Sequence, residues 1–373
     1  MQEKIVMSYK LNIREMRSSN IAEINEALST YNTAYGDNRT PDQWIWEYQS
    51  NYPDLFVFTV IEDNGRIVGT QGMIPIYINI RGKRYLSSKM ESSFLNPKYR
   101  GGTLFQELYE YAGSLCNAKN MCCIWGYTSA VKVWRTKLRF SVYENSMYNS
   151  ILILNLRNAL SEILKSKRKR AQKNAWLLLG TLCYLYSACR IYFRFPQKIP
   201  EMKYLIEQRL RSINDLGMLY NRLREKYPNL IHIEQDEQYI MWRIYNNPNI
   251  KYKTYFVYED VLLRGYCYVS RKEKKTASLT DFTFESPEVG AFLLQSLQGM
   301  WRKEKVGFVA FLGNAMNPLM ITVFNLLKRY GFLKKKASMS FFLKNISYKD
   351  DGHLYDIRNW YAGGLWMEGY SSY

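Results

Sequence analysis

The chain has 373 residues, enough for two domains with good cores and too many for one comfortable core. Its composition, 47% apolar and 23% charged, is globular and excludes a disordered chain. A formal net charge of +19 implies an anionic partner: a nucleotide-like cofactor, nucleic acid or an acidic membrane surface.

The N-terminal "MQEKIVMSYKLNIREM" has no apolar run and does not read as a secretory signal. Six cysteines without a C-x-x-C pair suit a reduced, cytoplasmic chain with buried thiols. Only two histidines occur, His232 and His353, far apart in sequence. That argues against a metal site or a histidine triad and leaves proton transfer to Glu, Asp, Tyr, Cys or the substrate.

From Trp44 the order is helix, then a three-strand meander with period-2 alternation, "DLFVFTVIED", "RIVGTQGMIPIYINI" and "RYLSSKMESSFL". From Thr103 the apolar positions Leu104, Leu108, Ala112 and Leu115 recur at helical spacing. "MCCIWGYT" reads as a short buried strand, and "VKVWRTKLRF" as a helix ending in an aromatic turn. The pattern then repeats. Trp46 and Trp242 are 196 apart, Pro53 and Pro248 195, Gly69 and Gly265 196, Phe140 and Phe332 192. Four ordered landmarks at nearly constant offset indicate two homologous halves, roughly 15–150 and 213–348. The fold class is therefore mixed α/β: two tandem lobes, each a mostly antiparallel mixed sheet flanked by helices. The expected organisation is a lobe over 1–155, a basic and apolar helical connector over 156–212, a degenerate lobe over 213–348 and an aromatic tail over 349–373.

The connector carries 13 Lys/Arg against 3 Asp/Glu between Leu156 and Ser212. Within it, Asn174–Cys189 has no charge over 16 residues. As helix that run spans about 24 Å at 1.5 Å per residue, short of a hydrocarbon core of about 30 Å. Two readings follow: a helix buried between the lobes, which is favoured, or a monotopic anchor with 165–195 on anionic headgroups.

Between the meander and the helix lies "FLNPKYRGGTLFQELYEYA", and the second half has no such basic glycine turn. A strand end opening into a helix presents free backbone N–H groups and the positive end of the helix dipole. Glycines allow close approach of an anion, and Lys98 and Arg100 add charge, so the turn can cradle a pyrophosphate. The plainer reading is a structural turn with Thr103 as helix N-cap.

This stretch, the "RIVGTQGMIPI" hairpin and "KVWRTKLRF" resemble the GNAT acyltransferase superfamily. More narrowly, they resemble two-lobed GNAT-like proteins associated with surface polysaccharide biosynthesis. The resemblance implies acyl-CoA as cofactor, acetyl-CoA by default and no metal, with a small-molecule or peptide amine as acceptor between the lobes. It implies that Arg100, Gly101, Gly102, Thr103 and Leu104 contact the pyrophosphate. Ser93 and Leu95 would offer backbone groups to the thioester and pantetheine. The sequence departs from the family pattern at three places: Thr103 replaces a usual glycine, Arg139-Phe140 replaces Gly-Phe, and Arg135 stands where a general-acid tyrosine is often found. Glu91 is the candidate base, against a solvated strand-face glutamate. Tyr127 is the candidate acid, against a core aromatic. Trp46 and Tyr48 are candidates for the acceptor side, against a packing role suggested by Trp242 in the other lobe. Two other functions fit the same residues: a Fem-like aminoacyltransferase using aminoacyl-tRNA, and a non-catalytic GNAT-like scaffold.

Overall fold

The structure is a computed structural model that describes residues 11–17, 19–165, 170–193, 203–273 and 275–367. The first half runs β1 (Leu11–Glu15), α1 (Ile21–Tyr35), α2 (Pro41–Gln49), β2 (Val57–Asp63), β3 (Arg66–Ile80), β4 (Lys83–Leu95), α3 (Leu104–Ala118), β5 (Cys123–Thr128), β6 (Ser141–Tyr143) and β7 (Met147–Ile153). Next come α4 (Leu156–Lys165), α5 (Arg170–Phe193), β8 (Leu205–Glu207), α6 (Asn214–Lys226), β9 (Ile231–Ile233) and α7 (Glu237–Ile240). The remainder is β10 (Tyr252–Glu259), β11 (Leu262–Glu273), β12 (Thr276–Phe284), α8 (Pro287–Lys303), β13 (Phe308–Asn314), α9 (Pro318–Arg329), β14 (Leu333–Lys336), β15 (Ser340–Asn345) and α10 (Asp351–Tyr355).

The chain forms two compact units that are not contiguous in sequence. The first unit takes in 1–78, 85–142 and 342–351, and the second 79–84, 143–341 and 352–373. The first sheet has the order β1-β2-β3-β4-β5-β15-β6, and the second β14-β7-β13-β12-β11-β10-β8. Strand β7, at the end of the first half, thus enters the second sheet, pairing antiparallel with β13 and β14. Strand β15, near the end of the chain, returns to the first sheet between β5 and β6.

Local sequence explains most of the first unit. Helix α1 is capped by Asn20, whose side chain accepts from the Ala22 and Glu23 N–H groups. Helix α2 opens with a capping box between Thr40 and Gln43 and has Pro41 in its first turn. Both residues of the two-residue turns Asn64-Gly65 and Arg81-Gly82 have positive φ, matching the twist of the strands they join. The core beneath α3 collects Val57, Met73, Met90, Tyr109, Ala112, Cys116, Ile124, Trp134, Phe140 and Phe342. Trp134 stacks on Phe342 with ring centroids 4.0 Å apart.

The repeat is visible in detail. Ile61 pairs with Gly69 and Val257 with Gly265, and in both hairpins the register slips at the next position. The same β-bulge therefore recurs 196 residues on. One expected helix is much reduced: "VKVWRTKLRF" forms only a short helical turn ending in π-helix at Val133–Lys137, whereas its counterpart is the 12-residue α9. Arg139 then sits at φ 57 where the second half has Gly331 at φ 87, and both lead to a buried Phe, Phe140 and Phe332.

The apolar run of α5 is not enclosed, which corrects the favoured reading of burial. Gly180 and Ser187 are buried and Ser187 donates to the Gly331 carbonyl at 2.9 Å, but Leu178, Leu182 and Leu185 are 64%, 54% and 51% exposed. Aromatic and apolar residues of the C-terminal tail, Trp360 to Met367, are buried within the second unit.

Candidate functional site

In the first unit, β4 and β5 run parallel and pair through Ser88 with Ile124 and Lys89 with Trp125. Past Lys89 and Trp125 the two strands separate. On β4 the separation coincides with Ser92, a non-glycine residue at φ 53. Such backbone costs free energy and persists only where its surroundings hold it. Here the Ser92 hydroxyl accepts from the Tyr48 hydroxyl and from Arg39 Nη1, both at 2.8 Å. Arg39 is itself ion-paired with Glu47, and both side chains are 2% exposed. Thr70 donates to the Ser92 carbonyl at 2.8 Å, and Gln71 to the Glu91 carbonyl at 3.2 Å.

This bracing corrects two expectations. Tyr48 is fully buried and Trp46 is 6% exposed, so neither lines an acceptor surface. Tyr48 packs edge-on against Phe58 and spends its hydroxyl on Ser92. Its role is to position the diverging strand. The regular alternation assumed for Glu91 and Phe94 is likewise interrupted by the Ser92 conformation between them. Arg39, Glu47 and Ser92 had no sequence signal, since a lone buried ion pair on a helix approach leaves no periodicity.

Beyond Leu95 the chain makes a turn of 3-10 helix at Pro97–Tyr99 and reaches the glycine pair. Tyr99 anchors this turn through Asp63, and Arg100 Nε donates to the Leu95 carbonyl at 2.9 Å. Arg100 therefore ties the turn to the strand end while remaining exposed, as do Lys98, Gly101, Gly102 and Thr103. Gly101 has φ +107, a conformation L side chains rarely adopt, and no atom lies within 4 Å of where a Cβ would sit on Gly101 or Gly102.

Thr103 occupies the N-cap position of α3, but its side chain caps no N–H. Its backbone is already helical, and its hydroxyl donates to Glu107 rather than accepting an N–H. The first helical bond of α3 runs from the Glu107 N–H to the Thr103 carbonyl at 3.0 Å. Among the described residues, the N–H groups of Gly101 to Gln106 have no acceptor in the chain. Six consecutive unpaired donors at an open helix N-terminus, with Arg100 and Lys98 alongside, have the charge and directionality that a pyrophosphate requires. Leu104 is half-buried against Leu95 and Leu108 and supplies the floor of the turn.

Glu91 and Tyr127 each lie two residues past the last β4–β5 pair, one on each arm of the opening, and both are partly exposed. Glu91 is ion-paired with the buried Lys89. The Ser93 carbonyl accepts from the Tyr35 hydroxyl at 3.0 Å, and the Ser93 hydroxyl donates to Gln71 Oε1 at 2.6 Å. Burial raises the Tyr35 phenol above its usual range, partly offset by the nearby Arg100 charge. Among the described residues no group of three His, Cys, Asp or Glu side chains could hold a metal.

The second unit repeats the strand divergence and closes it. Strands β12 and β13 pair in parallel from Thr276–Leu279 to Phe308–Phe311, and Thr280 is skipped in the β11 register. Past that point Gly363 of the tail bridges Gly313, and the Asn314 N–H donates to the Ala362 carbonyl at 2.8 Å. A Cβ on Gly364 would lie 2.7 Å from the Thr280 carbonyl, so only glycine passes there. Helix α8 starts with far fewer open donors among the described residues: Pro287 lacks an N–H, the Ser286 hydroxyl accepts from Val289 and the Ser286 carbonyl from Gly290, which leaves the Glu288 N–H.

Residues 15–137 match the acetyltransferase (GNAT) domain family. No curated protein matches the sequence. A protein of Enterococcus faecalis V583 described as a probable N-acyltransferase superposes with a TM-score of 0.57 at 10% identity, over 91% of this chain and 73% of that one. A tandem GNAT protein from the clavulanic acid biosynthesis pathway gives 0.54 at 12%, over 91% of this chain and 100% of that one. Saccharomyces cerevisiae N-myristoyltransferase with bound myristoyl-CoA gives 0.54 at 12%, over 90% and 80%. At such identities the likeness is one of fold: two GNAT-type lobes in tandem.

Proposed function

We propose that the protein is an acyl-CoA-dependent N-acyltransferase with its donor site in the first unit, acetyl-CoA being the default donor and an amine the acceptor. The observation that carries this reading is the run of unpaired N–H groups from Gly101 to Gln106, opened by Gly101 at φ +107. The domain match over 15–137, which spans this turn, supports it. The surface-polysaccharide role implied by the sequence resemblance is kept as the finer form of the proposal.

Amide formation requires a neutral amine, a polarised carbonyl and a protonated leaving group. Acyl-CoA, when bound, supplies the activated thioester. Residues of this chain do the rest. The Gly101–Gln106 N–H groups, Arg100 and Lys98 hold the anionic end. The braced Ser92 conformation keeps β4 and β5 apart, so that Ser93 and Leu95 backbone groups face the opening. Ser93 can accept a further N–H only by sharing its carbonyl with Tyr35. Glu91 receives the amine proton, with Lys89 holding the carboxylate in place, and the Tyr127 hydroxyl donates a proton to the leaving group.

A thermal-shift titration with acetyl-CoA tests the reading. The wild type gains stability with ligand, and Arg100→Ala, which loses both the strand tie and a cation, requires roughly tenfold more ligand. A wild-type midpoint unmoved at millimolar acetyl-CoA would remove the proposal.

A further inference from the structure

The outer face of α5 has no use in the proposed reaction, and its composition is unusual for an exposed helix. Gly180 and Ser187, seven residues apart, define the inner face, and Trp176 beside them lies under Lys335 at 5.3 Å. Leu178, Leu182, Leu185 and Cys189 follow at spacings of four, three and four residues, which places them together on the opposite face. All four are exposed, and Leu179 beside them is 47% exposed. A soluble helix ordinarily sets polar side chains there; a contiguous apolar stripe marks an interaction surface.

Charge selects the occupant. Every charged residue of α5 is positive: Arg170 and Lys173 near its start and Arg190 near its end. A second copy of the chain would bring these same charges together, within a molecule of formal net charge +19. An anionic lipid surface instead offers counter-charge at the flanks and hydrocarbon for the leucines. No described helix is long and apolar enough to cross a membrane, so the helix would lie in the plane of the surface. We propose that the Leu178–Leu182–Leu185 face of α5 is a monotopic docking surface for anionic membranes.

The test is flotation of the full chain with phosphatidylcholine vesicles, with and without phosphatidylglycerol. The wild type floats with the anionic vesicles and is released by salt. Replacing Leu178, Leu182 and Leu185 together by Ser lowers partitioning at least about tenfold. Replacing Arg190 by Gln lowers it about fivefold. Acetyl-CoA titration and circular dichroism on the same samples show that the variants remain folded. The proposal fails if the wild type does not float, if the leucine variant floats equally well, or if binding ignores the anionic lipid. It also fails if the wild type is a dimer that the leucine substitutions convert to a monomer, since a second copy then covers the face.

Discussion

The two units meet the same topological event, two parallel strands parting above a helix N-terminus, and resolve it in opposite ways. In the first, the parting is braced from below by Arg39, Tyr48 and Ser92, and α3 is left with six unpaired donors at an open glycine turn. In the second, Pro287 and Ser286 remove or occupy donors at the helix start, and the tail from Trp360 to Met367 lies along the parting strands. An open gap between strands leaves backbone groups without partners, which is tolerated where a ligand will supply them and costly otherwise. On the proposed function, the lobe that keeps the gap is the one that receives the donor. The other fills the gap with its own chain.

Four changes would break or sharpen this contrast. The largest effect falls on the filled side. Trp366 is 3% exposed, and Trp366→Ala is expected to cost the second unit about 3–5 kcal/mol in denaturant unfolding. Acetyl-CoA titration of the first unit should survive it below the unfolding transition. Next, Gly101→Val forces a β-branched side chain into φ +107 and should weaken acetyl-CoA binding roughly tenfold to a hundredfold, or about 1.4–2.8 kcal/mol. The equivalent disturbance of the second unit, Ser286→Gly, should leave that affinity unchanged.

The third concerns the buried polar cluster of the second unit. Asp281 accepts from Tyr266, Gln235 and Thr283, but burial outweighs these bonds and pushes its carboxyl up to about 6. Between about pH 4 and 6 the folded state holds a proton that the unfolded chain has released, so stability from this group rises as pH falls. His232 is stacked on Tyr220 and pushed down to about 3 by burial. Below about pH 6.5 the unfolded chain takes up a proton that folded His232 refuses, so stability from this group falls as pH falls. The two oppose each other between pH 4 and 6. Asp281→Asn removes one of them, and stability should then fall with acidification by up to about 1.4 kcal/mol per pH unit. Unfolding midpoints at several pH values read this slope directly.

The smallest effect is Arg139→Gly. It relieves a non-glycine residue at φ 57 and should stabilise the first unit by about 0.5–1 kcal/mol, as Gly331 already does in the second.

Much of this was legible in the residues. The repeat, the meander, α3, β5 and the glycine turn at Arg100-Gly101-Gly102 follow from periodicity, landmark spacing and turn chemistry. The exchange of β7 and β15 between sheets did not, because strand partners are set by long-range pairing that leaves no local pattern. Trp46 and Tyr48 illustrate a second limit. An aromatic residue near a cleft and one beneath it look alike in sequence, and only burial separates them. For α5, the uncharged run favours an enclosed helix, but exclusion from water requires a partner on every face and the outer face has none among the described residues.

Isothermal titration of the full chain with acetyl-CoA tests the contrast most directly, because it returns stoichiometry as well as affinity. The account predicts one site per chain, with binding lost or sharply weakened in Gly101→Val and retained in Ser286→Gly. Two sites per chain, or a single site indifferent to Gly101→Val, would contradict it.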